Sequence, residues 1–224
     1  MRRNFNLYHL AFILVTCSLL FTGCNKEPAE EPTTVTDYDG NVYNIIKIGD
    51  QEWMDRNLDV THYRNGEVIL NSLTTANEEG GWSDYDNNPS YGDAYGKLYN
   101  SYAVHDTRGL APEGWHVATY DDWMTLISSL GGFEVAGGIL KETGTTHWND
   151  PNTGATDAYG FKALPGGYGT STFSYMGTYG GFWTSTRLEN RPEETHMFWF
   201  YYNNPTIEHD SSTPMGISVR CIKD

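Results

Sequence analysis

Val42-Tyr43-Asn44-Ile45-Ile46-Lys47-Ile48, then Gly49-Asp50, then Gln51-Glu52-Trp53-Met54 reads as two strands joined by a tight turn. The first run is rich in β-branched residues and follows the turn signal Asp39-Gly40-Asn41, and Gly49-Asp50 turns the chain back on itself. A hairpin is therefore the starting element. Farther along, Thr119 and Asp122 have the spacing of a capping box, Trp123, Leu126, Ile127 and Leu130 fall on one helical face, and Gly131-Gly132 ends the helix. A weaker helix follows over Phe133 to Lys141. Glycine turns then alternate with aromatic runs, at Tyr159 to Leu164 and Gly181 to Thr186, before two longer strands at Thr195 to Tyr202 and Ile217 to Ile222. The fold class is α+β, strand-rich, with one or two helices and long loops.

Composition agrees with that reading. Seven Trp, 16 Tyr and nine Phe accompany 24 Gly, so rings supply buried area and glycines supply tight turns, which excludes a helical bundle. A chain of 224 residues builds a core without disulfide or metal staples. With 14 Lys+Arg against 29 Asp+Glu the net charge is −15, and such a surface repels phosphate backbones, which excludes nucleic acid as a partner.

The N-terminus reads as an address. Arg2 and Arg3 precede an apolar run from Leu10 to Phe21, too short for a bilayer span of about 20 residues, and small residues follow. Leu20-Phe21-Thr22-Gly23-Cys24 resembles a bacterial lipobox, which implies acylation of Cys24 with palmitate and related chains and makes Cys24 the first mature residue. Phe21 departs from the usual aliphatic residue of that motif. The next segment, Asn25-Lys26-Glu27-Pro28-Ala29-Glu30-Glu31-Pro32, is polar, acidic and unable to form a core. It resembles the export tag of Bacteroidetes-type lipoproteins, which implies an outer-membrane lipoprotein displayed on the surface of a Gram-negative cell. Loss of residues 1–23 removes two arginines and no acid, taking the net charge from −15 to −17. The expected organisation is a signal peptide at 1–23, a flexible acidic tether at 24–36 and one domain at 37–224.

Within that domain, Asp39-Gly40-Asn41-Val42-Tyr43, Ile48-Gly49-Asp50-Gln51-Glu52-Trp53-Met54, Tyr95-Gly96-Lys97-Leu98-Tyr99-Asn100, Ala111-Pro112-Glu113-Gly114-Trp115-His116-Val117, Gly160-Phe161-Lys162-Ala163-Leu164-Pro165-Gly166-Gly167, Phe182-Trp183-Thr184-Ser185-Thr186 and Ser218-Val219-Arg220-Cys221 occur in order. This series resembles the Fibrobacter succinogenes major paralogous domain family. The resemblance implies a C-type lectin-like fold, shared with formylglycine-generating enzymes, and no common activity. Those enzymes work through a pair of thiols, whereas the mature domain holds Cys221 alone, which removes that activity and leaves Cys221 as a buried packing group.

Chemistry-bearing motifs are sparse. Trp148-Asn149-Asp150 spells a triplet found beside the sugar site of calcium-dependent lectins, but the companion Glu-Pro-Asn or Gln-Pro-Asp loop is absent, and a turn before Pro151 accounts for it. Asp121 and Asp122 suit the first turn of a helix better than acid and base chemistry. The histidines show no zinc spacing, and there is no phosphate loop or nucleophile elbow. Asp84-Tyr85-Asp86-Asn87-Asn88 has the opening spacing of a calcium loop but lacks the later Gly and Glu of an EF-hand. Around it, Trp82, Tyr85, Tyr91 and Tyr95 offer rings to sugar faces. The expected ligand surface is thus a loop carrying Trp82, Asp84, Tyr85, Asp86, Asn88 and Tyr91, with Ca²⁺ as a conceivable ligand and no other cofactor. The expected function is a non-catalytic, lipid-anchored surface module for glycan or a protein partner. The alternatives are an extracellular polysaccharide-acting enzyme and a structural component of a surface assembly.

Overall fold

The computed structural model describes residues 33–74 and 78–224. The expected signal peptide, Cys24 and residues 25–32 of the tether lie outside the described residues. In chain order the strands are β1 (Thr34–Thr36), β2 (Val42–Ile48), β3 (Gln51–Met54), β4 (Leu70–Asn71), β5 (Gly81–Ser83), β6 (Leu98–Tyr99), β7 (Trp115–Val117), β8 (Tyr168–Gly169), β9 (Phe173–Ser174), β10 (Tyr179–Leu188), β11 (Arg191–Tyr201), β12 (Ile207–Ser212) and β13 (Cys221–Lys223). The helices are α1 (Pro89–Tyr95), α2 (Ser101–Val104), α3 (Tyr120–Ser129) and α4 (Phe133–Leu140), with a 3-10 turn at Tyr85–Asn87.

The hairpin forms as read: β2 pairs antiparallel with β3, and Ile48 faces Gln51 across Gly49-Asp50, with Gly49 at φ +62°. It sits in a five-stranded sheet of order β1-β2-β3-β13-β7, in which Ile222 of β13 lies opposite Trp53 of β3. Thr34–Thr36, placed by sequence in the tether, pairs with Val42, Tyr43 and Asn44 and extends this sheet. A second antiparallel sheet, β10-β11-β12, packs its Phe182, Phe198 and Phe200 face around Trp123 of α3, with ring centroids 5.5, 5.4 and 6.1 Å away. Trp53 joins the same cluster from the first sheet at 5.4 Å from Trp123. Rings therefore fill the space between the two sheets, as the composition requires.

The capping box is formed: Thr119 Oγ1 accepts from Asp122 N at 3.1 Å and Asp122 Oδ2 accepts from Thr119 N at 2.8 Å. Several expectations need correction. Among the described residues there are four α-helices, against one or two expected. The missed ones are short and start at asparagine caps, Asn88 for α1 and Asn100 for α2. Tyr159 to Leu164 forms no strand; Ala163 makes an isolated bridge to Lys141. Of Ile217 to Ile222 only the end is strand, because Ile217 and Ser218 bridge to Tyr99 and Phe182 while Cys221 onward joins the first sheet. The segment crosses between layers and cannot stay in one ladder.

Candidate functional site

The stretch from Trp82 to Tyr95 is a strand end, a 3-10 turn and a helix, not the expected loop. Trp82 is 9% exposed, donates from Nε1 to Ile69 O at 3.2 Å, and has Lys97 Nζ 5.0 Å from its ring. Asp84 is buried and accepts from Lys97 Nζ at 2.8 Å, and Asp59 Oδ1 meets the same ammonium at 3.1 Å. Burial opposes the charge on Lys97, but the two carboxylates outweigh it and hold the group above the ordinary lysine range. The pair lies so close to α1 that a Cβ at Gly92 would sit 1.9 Å from Asp84 Oδ1, so only glycine fits there. Asp84, which the calcium reading requires, is spent on this ion pair. Among the described residues no three His, Cys, Asp or Glu side chains are grouped to hold a metal.

The other expected residues separate. Tyr85 is buried, edge-on to Tyr91 at 5.9 Å and tilted against Phe173 at 5.3 Å, and burial raises its phenol. Tyr91 is half-buried and also meets Tyr95 at 6.4 Å. Asn88 is exposed and caps α1 by accepting from Ser90 N at 3.1 Å. Asp86 is exposed at φ +54°, and Asn87 follows at φ +54°. Two consecutive non-glycine residues in the left-handed region are costly, and such outliers concentrate at functional sites.

What these residues border is a groove of about 270 Å³. It is lined by Asn71, Ser72 and Thr74, by Ser83 and Asn87, and by Thr170 and Ser171, with Leu73 and Phe173 as its apolar residues. Ser83 Oγ lies 3.0 Å from Asn87 Oδ1, and the Phe173 ring rests on Tyr85. Among the described residues no lining side chain is charged, on a chain whose net charge is −15. Of the six residues expected from sequence, none lines this groove; Tyr85 and Tyr91 support it from behind. The signal that sequence reading missed is the absence of any charged residue between Lys162 and Arg187, a stretch dominated by Gly, Tyr, Ser and Thr. Within it, Thr170, Ser171 and Phe173 supply small polar groups and one ring to the groove.

A second cleft, of about 440 Å³, is lined by Tyr63, Glu78, Glu79, Tyr102, His105 and Arg108 among others. Of its two guanidiniums, that of Arg108 is taken by Asp106 and Glu67, each at 2.7 Å, and that of Arg187 donates to Pro192 O at 2.6 Å. Burial lowers His105 to about 4, and its Nε2 lies 2.8 Å from the hydroxyl of Thr195, which is itself fully buried. The histidine is neutral and engaged with the core, and that hydroxyl is out of reach of a substrate.

The family model Fibrobacter succinogenes major domain matches residues 46–223. The chain belongs to that family. No curated protein and no solved structure matches the chain.

In this Fibrobacter succinogenes major domain many of the motif residues face inward and make the fold, whereas Asp50, Glu113 and Lys162 are exposed. Arg220 is fully buried and donates to Met54 O at 3.0 Å, Phe161 O at 2.5 Å and Asn57 Oδ1 at 2.7 Å. Asn100 Oδ1 accepts from Gly81 N and Ala103 N at 3.0 and 2.9 Å, and Trp183 Nε1 donates to Tyr99 O at 2.9 Å. Trp148 is buried, with Nε1 on Ala163 O at 2.9 Å, and Asn149 reaches Thr178 Oγ1 at 3.2 Å. Cys221 is fully buried, and burial pushes its thiol up to about 12. The groove residues Ser72, Ser83, Asn87, Thr170, Ser171 and Phe173 fall outside the motifs that carry the family resemblance. Recognition of the family therefore predicts the scaffold and leaves the site to be read separately.

Proposed function

We propose that the protein is a lipid-anchored module on the outer face of an outer membrane that binds a neutral glycan, using a C-type lectin-like scaffold. The carrying observation is the groove beside Phe173: hydroxyls and amides surround one ring, and no charge intrudes. Sugars present hydroxyls and apolar C–H faces together, and a neutral polar lining with an aromatic wall complements both. The union of β1–β3 with β13 in one sheet, the two longer helices and the irregular segments between support the lectin-like reading. The Gly23-Cys24 junction and the acidic segment after it support anchoring and display.

A glycan array probed with the full chain in detergent tests the binding reading. A defined neutral glycan bound without product, and lost in Phe173→Ala, is expected. Release of reducing ends would instead mark the protein as a polysaccharide-acting enzyme, and silence on the array would favour a structural role in a surface assembly. Cys24→Ala is expected to abolish palmitate labelling, and retained labelling would overturn the anchoring.

A further inference from the structure

The hairpin of β8 and β9 presents different rings on its two sides. Gly169 pairs with Phe173 and Tyr168 with Ser174, so alternation sends Phe173 toward the groove and Tyr168 to the opposite face. There Tyr168, Tyr175, Tyr179 and Tyr201 gather. Tyr175 is parallel to Tyr179 within 5° at 4.5 Å and is stacked with Tyr168 at 5.6 Å, while Tyr201 meets Tyr179 edge-on at 5.1 Å. Trp199 forms the floor, 6.2 Å from both Tyr168 and Tyr179, and lies so tightly over Gly181 that a Cβ there would come within 2.4 Å of the indole. The rings are thus fixed from below.

Tyr175 is the unusual member. Its backbone is left-handed, at φ +67°, although its side chain is bulky, and 48% of it is exposed. The turn itself asks only for a carbonyl, since Thr178 N and Tyr179 N both donate to Tyr175 O at 3.0 Å. Glycine would make this turn without steric cost. A strained residue that retains a half-exposed ring has a use for the ring and not for the turn.

We propose that this tyrosine stack is a second carbohydrate-contacting surface, with Tyr175 offering its ring to a sugar of a neutral polysaccharide; the inference rests on the reading of the Phe173 groove as a glycan site. The ligand class follows from the chemistry of the surface: aromatic rings with hydroxyls, no charged residue from 163 to 186, a hairpin shared with the uncharged groove, and one carboxylate at the edge, Glu208, whose Oε2 accepts from Tyr201 Oη at 2.7 Å. Two contacts on one hairpin raise retention on a polymer more than affinity for a short fragment.

Affinity electrophoresis of the full chain in detergent, in gels cast with a β-glucan, a xylan, a mannan or a galactan, tests this. Wild type and Tyr175→Phe are expected to be retarded in at least one gel, and Tyr175→Gly to bind that polymer about tenfold more weakly. The melting temperature of Tyr175→Gly is expected to hold or rise, because glycine relieves the left-handed strain. Wild-type retardation in Tyr175→Gly, with loss confined to Phe173→Ala, overturns the stack and leaves the groove. A fall in melting temperature with unchanged polymer binding overturns it in favour of a packing role. Free migration of wild type in all four gels, together with a silent array, overturns both sites.

Discussion

Arg220 holds its guanidinium 4.1 Å above the ring of Phe161 and donates to the carbonyl of that same residue. Two motifs far apart in sequence, Gly160-Phe161-Lys162-Ala163 and Ser218-Val219-Arg220-Cys221, meet at this contact in the interior. The charge has no carboxylate at hydrogen-bond distance among the described residues, and backbone carbonyls with Asn57 disperse it instead. Burial lowers Arg220 to about 9.

Removing this cation is expected to leave several buried acceptors unsatisfied. Arg220→Ala should cost about 3–5 kcal/mol in urea unfolding. Arg220→Lys should recover little, because one ammonium cannot reproduce the planar fork.

Trp82 discriminates core from contact. As part of the buried cluster with Tyr63, Tyr99 and Trp199, Trp82→Ala is expected to lose about 3–5 kcal/mol of stability. Thermal unfolding checks this, and a variant as stable as wild type would return Trp82 to the list of ligand contacts.

The Lys97 ammonium is the shared partner of Asp59 and the buried Asp84, so Lys97→Met is expected to destabilise by about 3–5 kcal/mol. Asp84→Asn in the Lys97→Met background should recover part of that loss. A double-mutant cycle measures the coupling.

His116 lies between Asp122 Oδ2 at 3.0 Å and Asp224 Oδ1 at 2.7 Å. The Asp122 hydrogen bond, offset by burial and reinforced by Asp224, raises the imidazole above its ordinary range. Its stabilising contribution is therefore full below the unfolded histidine value of about 6.5 and is lost as pH rises through the higher folded value. For Asp122, burial pushes upward, but His116 and Thr119 outweigh it and leave the carboxyl lowered. That contribution is present above about 3.9 and fades as pH falls through the folded value. Melting temperature against pH should decline above neutrality in wild type and decline less in His116→Gln.

Cys221 should resist thiol reagents in the native chain and react promptly in denaturant, because it has no exposed surface and burial keeps it protonated. Mass spectrometry after timed alkylation reads both rates, and rapid native labelling would contradict the burial.

The parts of the fold legible in sequence are those set by neighbours along the chain. Thr119 and Asp122 are three residues apart, and Ile48 and Gln51 flank one turn, so local chemistry names both. Helix α1 carries its own local signal, Asn88 as cap and Pro89 in the first turn. The carboxylate spacing of Asp84 to Asn88 pointed instead to an ion loop. The fate of Asp84 depends on Lys97 and Asp59, which approach from other elements, and no spacing rule contains them. The groove likewise brings Ser72, Asn87 and Ser171 together from three separate segments. Only the uncharged character of 163–186 could have directed attention there.

The pairing of Ile222 with Trp53 has a temporal meaning. Strand β13 of the five-stranded sheet lies between β3 and β7, two strands far earlier in chain order. Until residues 221–223 arrive, β3 and β7 keep open edges, and the loop to be closed is nearly the whole domain. Topologies dominated by such distant pairings fold slowly. The five-stranded sheet therefore stays open at β3 and β7 until a segment distant in sequence from both has been made and has paired between them.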